Sequence, residues 1–258
     1  AEGLRAAAER AWDGGWFLRG YYGDGAPLGS RENTACRIDS IAQSWAVLAG
    51  CGDALRAEQG VRAALEQLWD REHRLVRLFT PPFDGTEDHD PGYIRGYVPG
   101  VRENGGQYTH AAVWLAMACL RLGMAEEGWR LLHDLLPSGR DTPVYRAEPY
   151  VLAADVYDNP QHPGRGGWSW YTGAAGWFYR TALEELLGLR LRQGELFFAP
   201  RLPESWPGYT ARWRTGKAEL EIQVRRGPGP GITLDGMAET GGIRLTELRG
   251  RHQVVVTL

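Results

Sequence analysis

The sequence predicts a mainly helical chain that closes with a small antiparallel β module. Apolar residues recur at helical spacing through the first two-thirds of the 258 residues, and after Pro200 the pattern changes to short alternating runs. Long loops rich in glycine, proline and aromatic residues separate the helical stretches. These observations divide the chain into a helical portion, residues 1–200, and a β module, residues 201–258.

The helical spacing covers roughly residues 2–12, 40–50, 53–70, 108–122, 125–136 and 174–188. Asp39 or Ser40 is placed to cap the second helix, Asp53 the third and Thr109 the fourth, each side chain accepting from a backbone N–H that has no helical partner. The alternating runs Tyr209 to Trp213, Glu219 to Val224, Gly231 to Leu234 and Gln253 to Leu258 are interrupted by Gly-Pro and Asp-Gly turns, as antiparallel strands require. No low-complexity segment or short repeat is visible, although helices paired through loops suit a helical toroid of which three hairpins would form half. Trp45, Trp69, Trp114 and Trp129 stand at helical spacing among apolar residues and are expected in the core.

Composition narrows the function. The net charge is −3 and Lys217 is the only lysine, so no basic stripe is available for nucleic acid. Cys36, Cys51 and Cys119 are odd in number and lack metal-type spacing, which favours reduced thiols and a cytoplasmic setting over a zinc site. No run approaches the roughly 20 apolar residues of a membrane span, so this segment is expected to make no direct membrane contact. The first residue is Ala1, and helix begins there with no capping residue ahead of it, so the chain is expected to be cut from a longer polypeptide.

Two loops carry the polar chemistry. Gly100-Val-Arg-Glu-Asn-Gly-Gly-Gln-Tyr-Thr-His-Ala111 and Gly164-Arg-Gly-Gly-Trp-Ser-Trp-Tyr-Thr-Gly173 each lead into an apolar helix. Helix N-termini present unpaired N–H groups and the positive end of a dipole, so two such loops suggest one shared anion site. Neither loop matches the glycine fingerprints of nucleotide sites.

At these loops the chain resembles the glycoside phosphorylases of glycoside hydrolase family 94, which include cellobiose, chitobiose and 1,2-β-oligoglucan phosphorylases, and the C-terminal part of cyclic β-1,2-glucan synthases. The resemblance rests on Trp12-Asp-Gly, Gly25-Ala-Pro-Leu-Gly-Ser30, Cys36-Arg-Ile-Asp-Ser-Ile-Ala-Gln-Ser-Trp45, the run Pro91 to His110, Glu148-Pro-Tyr-Val, Gly164 to Gly173 and Leu202-Pro-Glu-Ser-Trp206, in order along nearly the whole chain. It implies the later half of an (α/α)6 barrel followed by a β-sandwich module. By the same resemblance His110, Thr172 and Gly173 bind phosphate, and Arg102 and Glu103 lie beside the sugar subsites. Gly23 and Ala174 depart from the pattern, where many relatives carry an aspartate and a serine. No Asp-Trp-Asn-Asp-like motif occurs, so the general acid is expected upstream of Ala1 and no catalytic residue is assigned in this chain.

The chemistry is consistent with the residues. Phosphorolysis with inversion needs one carboxylic acid and one anion cradle, because phosphate arrives already nucleophilic, whereas inverting hydrolysis needs a second carboxylate. Gln107, Trp168, Trp170 and Tyr171 stand beside the cradle and, with Arg102 and Glu103, are candidates for sugar binding. Each also has a plainer reading: His110 as a core imidazole, Thr172 as a cap, Arg102 with Glu103 as a surface ion pair, and Asp39 and Gln43 as structural. The expected function is that part of an inverting phosphorylase acting on β-glucan, β-1,2-linked by preference, with inorganic phosphate as co-substrate and no cofactor or metal. Its partners are then the oligosaccharide, phosphate and the remaining N-terminal part of the polypeptide, and a homodimer is compatible. The competing reading is a non-catalytic carbohydrate-binding or chain-length-controlling segment of a cyclic β-1,2-glucan synthase, the soluble part of an inner-membrane protein. A toroid hydrolase ranks last, since the chain offers no convincing pair of carboxylates.

Overall fold

The computed structural model describes residues 2–51, 53–170 and 172–258, and these form two compact units, residues 1–179 and 180–258. Unit 1 holds α1 (Glu2–Arg10), α2 (Ser40–Leu48), α3 (Ala54–Leu68), α4 (Thr109–Arg121), α5 (Ala125–Leu135), the single turn α6 (Thr142–Tyr145) and α7 (Thr172–Arg180). The first five helices expected from apolar spacing lie within two residues of their places, the sixth begins at Thr172 but turns π-helical after Arg180, and α6 is a turn that the spacing does not show. Asp39 caps α2 by accepting from the Ile41 N–H at 2.7 Å, and Asp53 caps α3 through the Arg56 N–H at 3.0 Å. Thr109 does not cap α4. It is the first helical residue, and the position before it, Tyr108, makes no side-chain cap bond.

The reason is a strand pairing that the sequence pattern does not reveal. Short antiparallel pairs tie the loops of unit 1 together: β1 (Gly20–Tyr21) with β2 (Pro27–Leu28), β3 (Ile38–Asp39) with β6 (Phe79–Thr80), β4 (Trp69–Asp70) with β5 (Leu75–Val76), and β7 (Gln107–Tyr108) with β8 (Asp155–Val156). In the last pair Tyr108 lies opposite Asp155, and the Thr109 N–H donates to the Ala154 carbonyl at 2.9 Å. The chain therefore enters α4 extended, with the threonine one position inside the helix.

Helices α2, α4 and α7 carry a repeat that inspection of the sequence had missed. They open Ser40-Ile-Ala-Gln-Ser-Trp45, Thr109-His-Ala-Ala-Val-Trp114 and Thr172-Gly-Ala-Ala-Gly-Trp177, each with a hydroxyl residue first, alanine third and tryptophan sixth. The three indoles meet edge to face, Trp45 to Trp114 at 5.3 Å and Trp114 to Trp177 at 5.8 Å between centroids. Gly173 faces His110 and Trp177 faces Trp114, so α4 and α7 meet at equal positions on two levels and run the same way. Trp45 is 37 % exposed and Trp114 and Trp129 are half-buried, so of the four tryptophans expected in the core Trp69 alone is buried. Alanine at the third position keeps the helix flanks thin where they approach, and Ala111 and Ala174 are buried.

Unit 2 begins with a π-helical turn, Thr181–Leu186, and folds as two sheets. One is ordered β15-β10-β9, from Ile243–Arg244, Glu195–Phe198 and Leu189–Arg192. The other is ordered β11-β12-β16-β13-β14, from Gly208–Arg214, Ala218–Arg225, Gly250–Thr257, Gly231–Leu234 and Met237–Glu239. Leu189, Leu196 and Ile243 of the first sheet share one core with Leu220, Ile222, Val224, Val254 and Val256 of the second, as in a β-sandwich. The module is not wholly antiparallel. β12 and β16 pair in parallel, from Ala218 opposite Gly250 to Arg225 opposite Thr257, because the chain returns across the intervening hairpin before pairing. Glu185 is buried in the π-helical turn between the guanidiniums of Arg190 and Arg201, the latter at 2.9 Å.

Trp114→Ala removes the middle ring of the ladder and should cost about 3–5 kcal/mol of unfolding free energy in urea titrations. Trp45→Ala, at the solvent-facing end, should cost clearly less. Equal costs would contradict the ladder as the alignment device.

Candidate functional site

The loop before α4 is folded by its own backbone. The Gly100 N–H donates to the Asn104 carbonyl and the Asn104 N–H to Val101, a tight reversal that places Arg102 at φ 51°. Asn104, fully buried, donates to the Phe83 and Tyr97 carbonyls at 2.9 and 2.8 Å and accepts from the Phe83 N–H at 2.8 Å. That one amide fixes the loop against the preceding one. At Gly106 a Cβ would press on the Gly100 carbonyl at 2.8 Å, so only glycine lets the loop fold back on itself.

Of the expected phosphate ligands, the structure brings His110 and Gly173 together. A Cβ added to Gly173 would lie 3.3 Å from His110 Nδ1, so the absent side chain leaves the imidazole room at the level where α4 and α7 start. The His110 ring packs against Trp114 at 4.5 Å and Trp177 at 6.0 Å, which fixes its plane. Its Nε2 is buried and has no hydrogen-bond partner among the described residues. Burial alone pushes the imidazole below its ordinary value of 6.5, so it is neutral at neutral pH. Thr172 is the exposed first residue of α7. No side chain caps α4, which leaves N–H groups of its first turn open to an acceptor from outside.

The expected sugar ligands fall into separate groups. Arg102 lies between two rings, 5.4 Å from the Tyr97 centroid and 5.3 Å from Trp168, and its Nε is 3.4 Å from Glu103 Oε2. Trp168 is 55 % and Trp170 65 % exposed, large flat faces of the kind that sugar rings cover. The Trp170 indole N–H donates to Glu148 Oε1 at 2.9 Å, and its ring meets Tyr150 edge-on at 6.3 Å. Glu103 also lines a cavity of about 210 Å³ together with Arg19, Asp39, Tyr93, Ile94 and Tyr108. Gln107 is buried and its amide oxygen accepts from the Val76 N–H at 3.0 Å, so in this conformation it anchors β5. Tyr171 lies outside the described residues. Gln43 is structural, its amide clasping the Phe17 N–H and carbonyl at 2.9 and 2.8 Å.

Asp155 escaped the sequence reading. It is fully buried on β8, and Oδ1 accepts from the Trp168 N–H at 3.2 Å while Oδ2 has no partner among the described residues. A Cβ on Gly167 would overlap both carboxylate oxygens, which makes that glycine the condition for the carboxylate's place. Burial holds the carboxyl above its ordinary value, against the Trp168 N–H and the Arg102 charge, with Glu103 adding to the rise. Asp155 thus joins β8, the Trp168 segment and the Arg102–Glu103 pair. The one available signal was Gly166-Gly167 beside tryptophan, a close backbone approach with no partner named.

Residues 1–188 match the profile described as the Glycosyl hydrolase 94 superfamily, catalytic domain. The chain belongs to the glycosyl hydrolase 94 superfamily. Residues 189–228 match the C-terminal domain of glycosyl hydrolase family 65. This glycosyl hydrolase 94 chain is 52 % identical over 231 residues to the cyclic beta-(1,2)-glucan synthase NdvB of Rhizobium meliloti, a match covering 87 % of the chain and 8 % of that protein. It is 30 % identical over its whole length to the 3-O-beta-D-glucopyranosyl-beta-D-glucuronide phosphorylase of Paenibacillus borealis and to the N,N'-diacetylchitobiose phosphorylase of Vibrio proteolyticus, spanning 35 % and 33 % of them. The chain therefore corresponds to about a third of each phosphorylase and to a small part of the synthase. Among the described residues, no cluster of three or more histidine, cysteine or acidic side chains could hold a metal ion. No helix described is long and apolar enough to cross a membrane.

The Asp155 carboxyl sets a pH test. Its folded value lies above the ordinary 3.8, so its contribution to stability is complete below that value and is lost as pH rises through the folded value. Asp155→Asn should compare worst with the parent in acid and gain on it as pH rises, read from urea midpoints at several pH values. A difference that does not change with pH would contradict the burial of a charged carboxylate.

Proposed function

We propose that this domain is the phosphate- and sugar-binding part of an inverting glycoside phosphorylase acting on β-glucan, with β-1,2-linked chains as substrate. The observation that carries the reading is the imidazole of His110, neutral, buried at Nε2 without a partner and level with Gly173 at the starts of two parallel helices. The β-1,2 linkage follows the cyclic beta-(1,2)-glucan synthase relative, and the phosphorolysis follows the phosphorylase relatives. In the reaction a phosphate oxygen attacks the anomeric carbon from the face opposite the glycosidic oxygen. That C–O bond breaks, and a carboxylic acid outside this chain protonates the leaving oxygen, giving α-glucose 1-phosphate. His110, Thr172, Gly173 and the first-turn N–H groups hold the anion. Glu103, Arg102, Trp168 and Trp170 hold the sugar, with Tyr171 assigned beside them and Gln107 supporting the loop. The helices supply the later half of an (α/α)6 barrel, a reading supported by α4 and α7, which start side by side, and by the Trp45–Trp114 contact that joins α2 to them.

The match to a synthase favours a second reading, a carbohydrate-binding segment that measures glucan chain length without phosphorolysis. The two part at phosphate. In the full-length protein, His110→Ala should raise the phosphate KM about tenfold or more while the oligosaccharide KM moves little, because one hydrogen bond to a charged group is lost. Unchanged phosphate dependence would remove His110 from the cradle. Oligosaccharide binding indifferent to phosphate would favour the second reading.

A further inference from the structure

Arg19 has no role in the site as assembled so far. Its backbone is fixed by the β1–β2 hairpin, the Arg19 N–H donating to the Leu28 carbonyl at 2.8 Å. Among the described residues its side chain makes no hydrogen bond, and its one charged neighbour is Asp39, Nη1 to Oδ1 at 3.7 Å. Capping does not explain Asp39 fully. One oxygen suffices for the Ile41 N–H, and an asparagine would cap as well without placing a charge in a position that is 2 % exposed. Burial pushes the Asp39 carboxyl above its ordinary value, the Arg19 guanidinium works against that rise, and both side chains line the cavity of about 210 Å³ with Glu103.

The lining defines the ligand. Arg19 has Asp39 beside it and Glu103 has Arg102 at 3.4 Å, so the lining offers an anion no surplus positive charge. Two tyrosines, Tyr93 and Tyr108, add hydroxyls, while Leu28, Phe83, Pro91 and Ile94 form an apolar wall. Charged donors and acceptors facing apolar surface suit a neutral, hydroxyl-rich ring with one hydrophobic face. We infer that this cavity is a subsite for one uncharged glucosyl residue of the oligosaccharide, in which Arg19 donates to ring hydroxyls opposite Glu103, and that it rejects a sugar bearing a carboxylate. Asp39 is a positioning residue here: it holds Arg19 over the cavity. The inference rests on the carbohydrate reading above and is independent of phosphate.

The test is calorimetric binding of β-1,2-gluco-oligosaccharides, their uronic-acid-terminated analogues and inorganic phosphate to the full-length protein. Arg19→Ala should weaken oligosaccharide binding about tenfold, the loss of hydrogen bonds to a charged group, and leave phosphate affinity unchanged. Asp39→Asn retains the α2 cap, so thermal unfolding should hold while oligosaccharide affinity falls severalfold. Arg19→Lys should recover part of the loss, since it restores the charge without the forked donors. The parent protein should bind the uronic-acid analogue more weakly than the neutral sugar. Arg19→Ala binding within about twofold of the parent, or equal affinity for the two sugars, would overturn the subsite. Failure of the phosphorylase reading would look different: oligosaccharide binding would remain sensitive to Arg19 while phosphate neither bound nor mattered.

Discussion

The edge-to-face contact of three tryptophans is the constraint on which the site depends. An α-helix can slide along a neighbour in steps of about one turn, or 5.4 Å, and still bury alanine and leucine acceptably. Indole rings that meet edge to face remove that freedom, because a slip of one turn would part the rings. Trp114, holding Trp45 on one side and Trp177 on the other, therefore fixes α2, α4 and α7 at one level. The same ring lies under His110. Helix alignment and imidazole orientation are one interaction, so the chemistry at the helix starts inherits its geometry from the packing one turn below.

The loops are held by a different means, the close approach of backbone. Gly106 folds against Gly100, and Gly167 against the Asp155 carboxylate, and a side chain at either position would overlap what it faces. Each contact joins segments distant in sequence. The Asn104 amide joins the 83–97 loop to the start of α4, and Asp155 joins β8 to Trp168. The cost is a buried carboxylate with one oxygen unpaired among the described residues, beside an arginine kept between two rings. Such an arrangement persists when the surrounding structure determines it strongly, and sites of this kind concentrate where a ligand supplies the missing contact.

What the sequence disclosed follows the range of the forces involved. Helix positions, the caps at Asp39 and Asp53 and the strands of the β module depend on residues a few positions apart, and they were legible in apolar spacing and in capping chemistry. Thr109 misled because its role is set by a pairing with β8, some forty-five residues on. The parallel pairing of β12 with β16 was illegible for the same reason, since alternation in a strand does not state its partner. The serine or threonine, alanine and tryptophan pattern was present all along, but it occupies three positions in about sixty-five and becomes visible only when the rings are seen to touch. The match to the glycosyl hydrolase 94 superfamily covers the motif segments up to Gly173, and the family 65 match covers Leu202 to Trp206, while the places of Arg19 and Asp155 needed coordinates.

On the proposed assignments the two halves of the site use opposite electrostatics, and each choice suits its ligand. Phosphate is both substrate and, as sugar phosphate, product, so a cradle with surplus positive charge would bind it tightly and release the product slowly. Neutral donors avoid this: an imidazole held uncharged by burial, a threonine hydroxyl and the N–H groups of a helix whose first turn has no side-chain cap. The sugar carries no charge, so charge in its subsite cannot trap it and serves instead to strengthen and orient hydrogen bonds to hydroxyls. Arg19, Asp39 and Glu103 supply that charge in a partly closed, apolar-walled cavity, where water competes poorly. With Asp39 beside Arg19 and Glu103 beside Arg102, this cavity offers phosphate no surplus positive charge, so the electrostatics that orient one substrate leave the other to the helix starts.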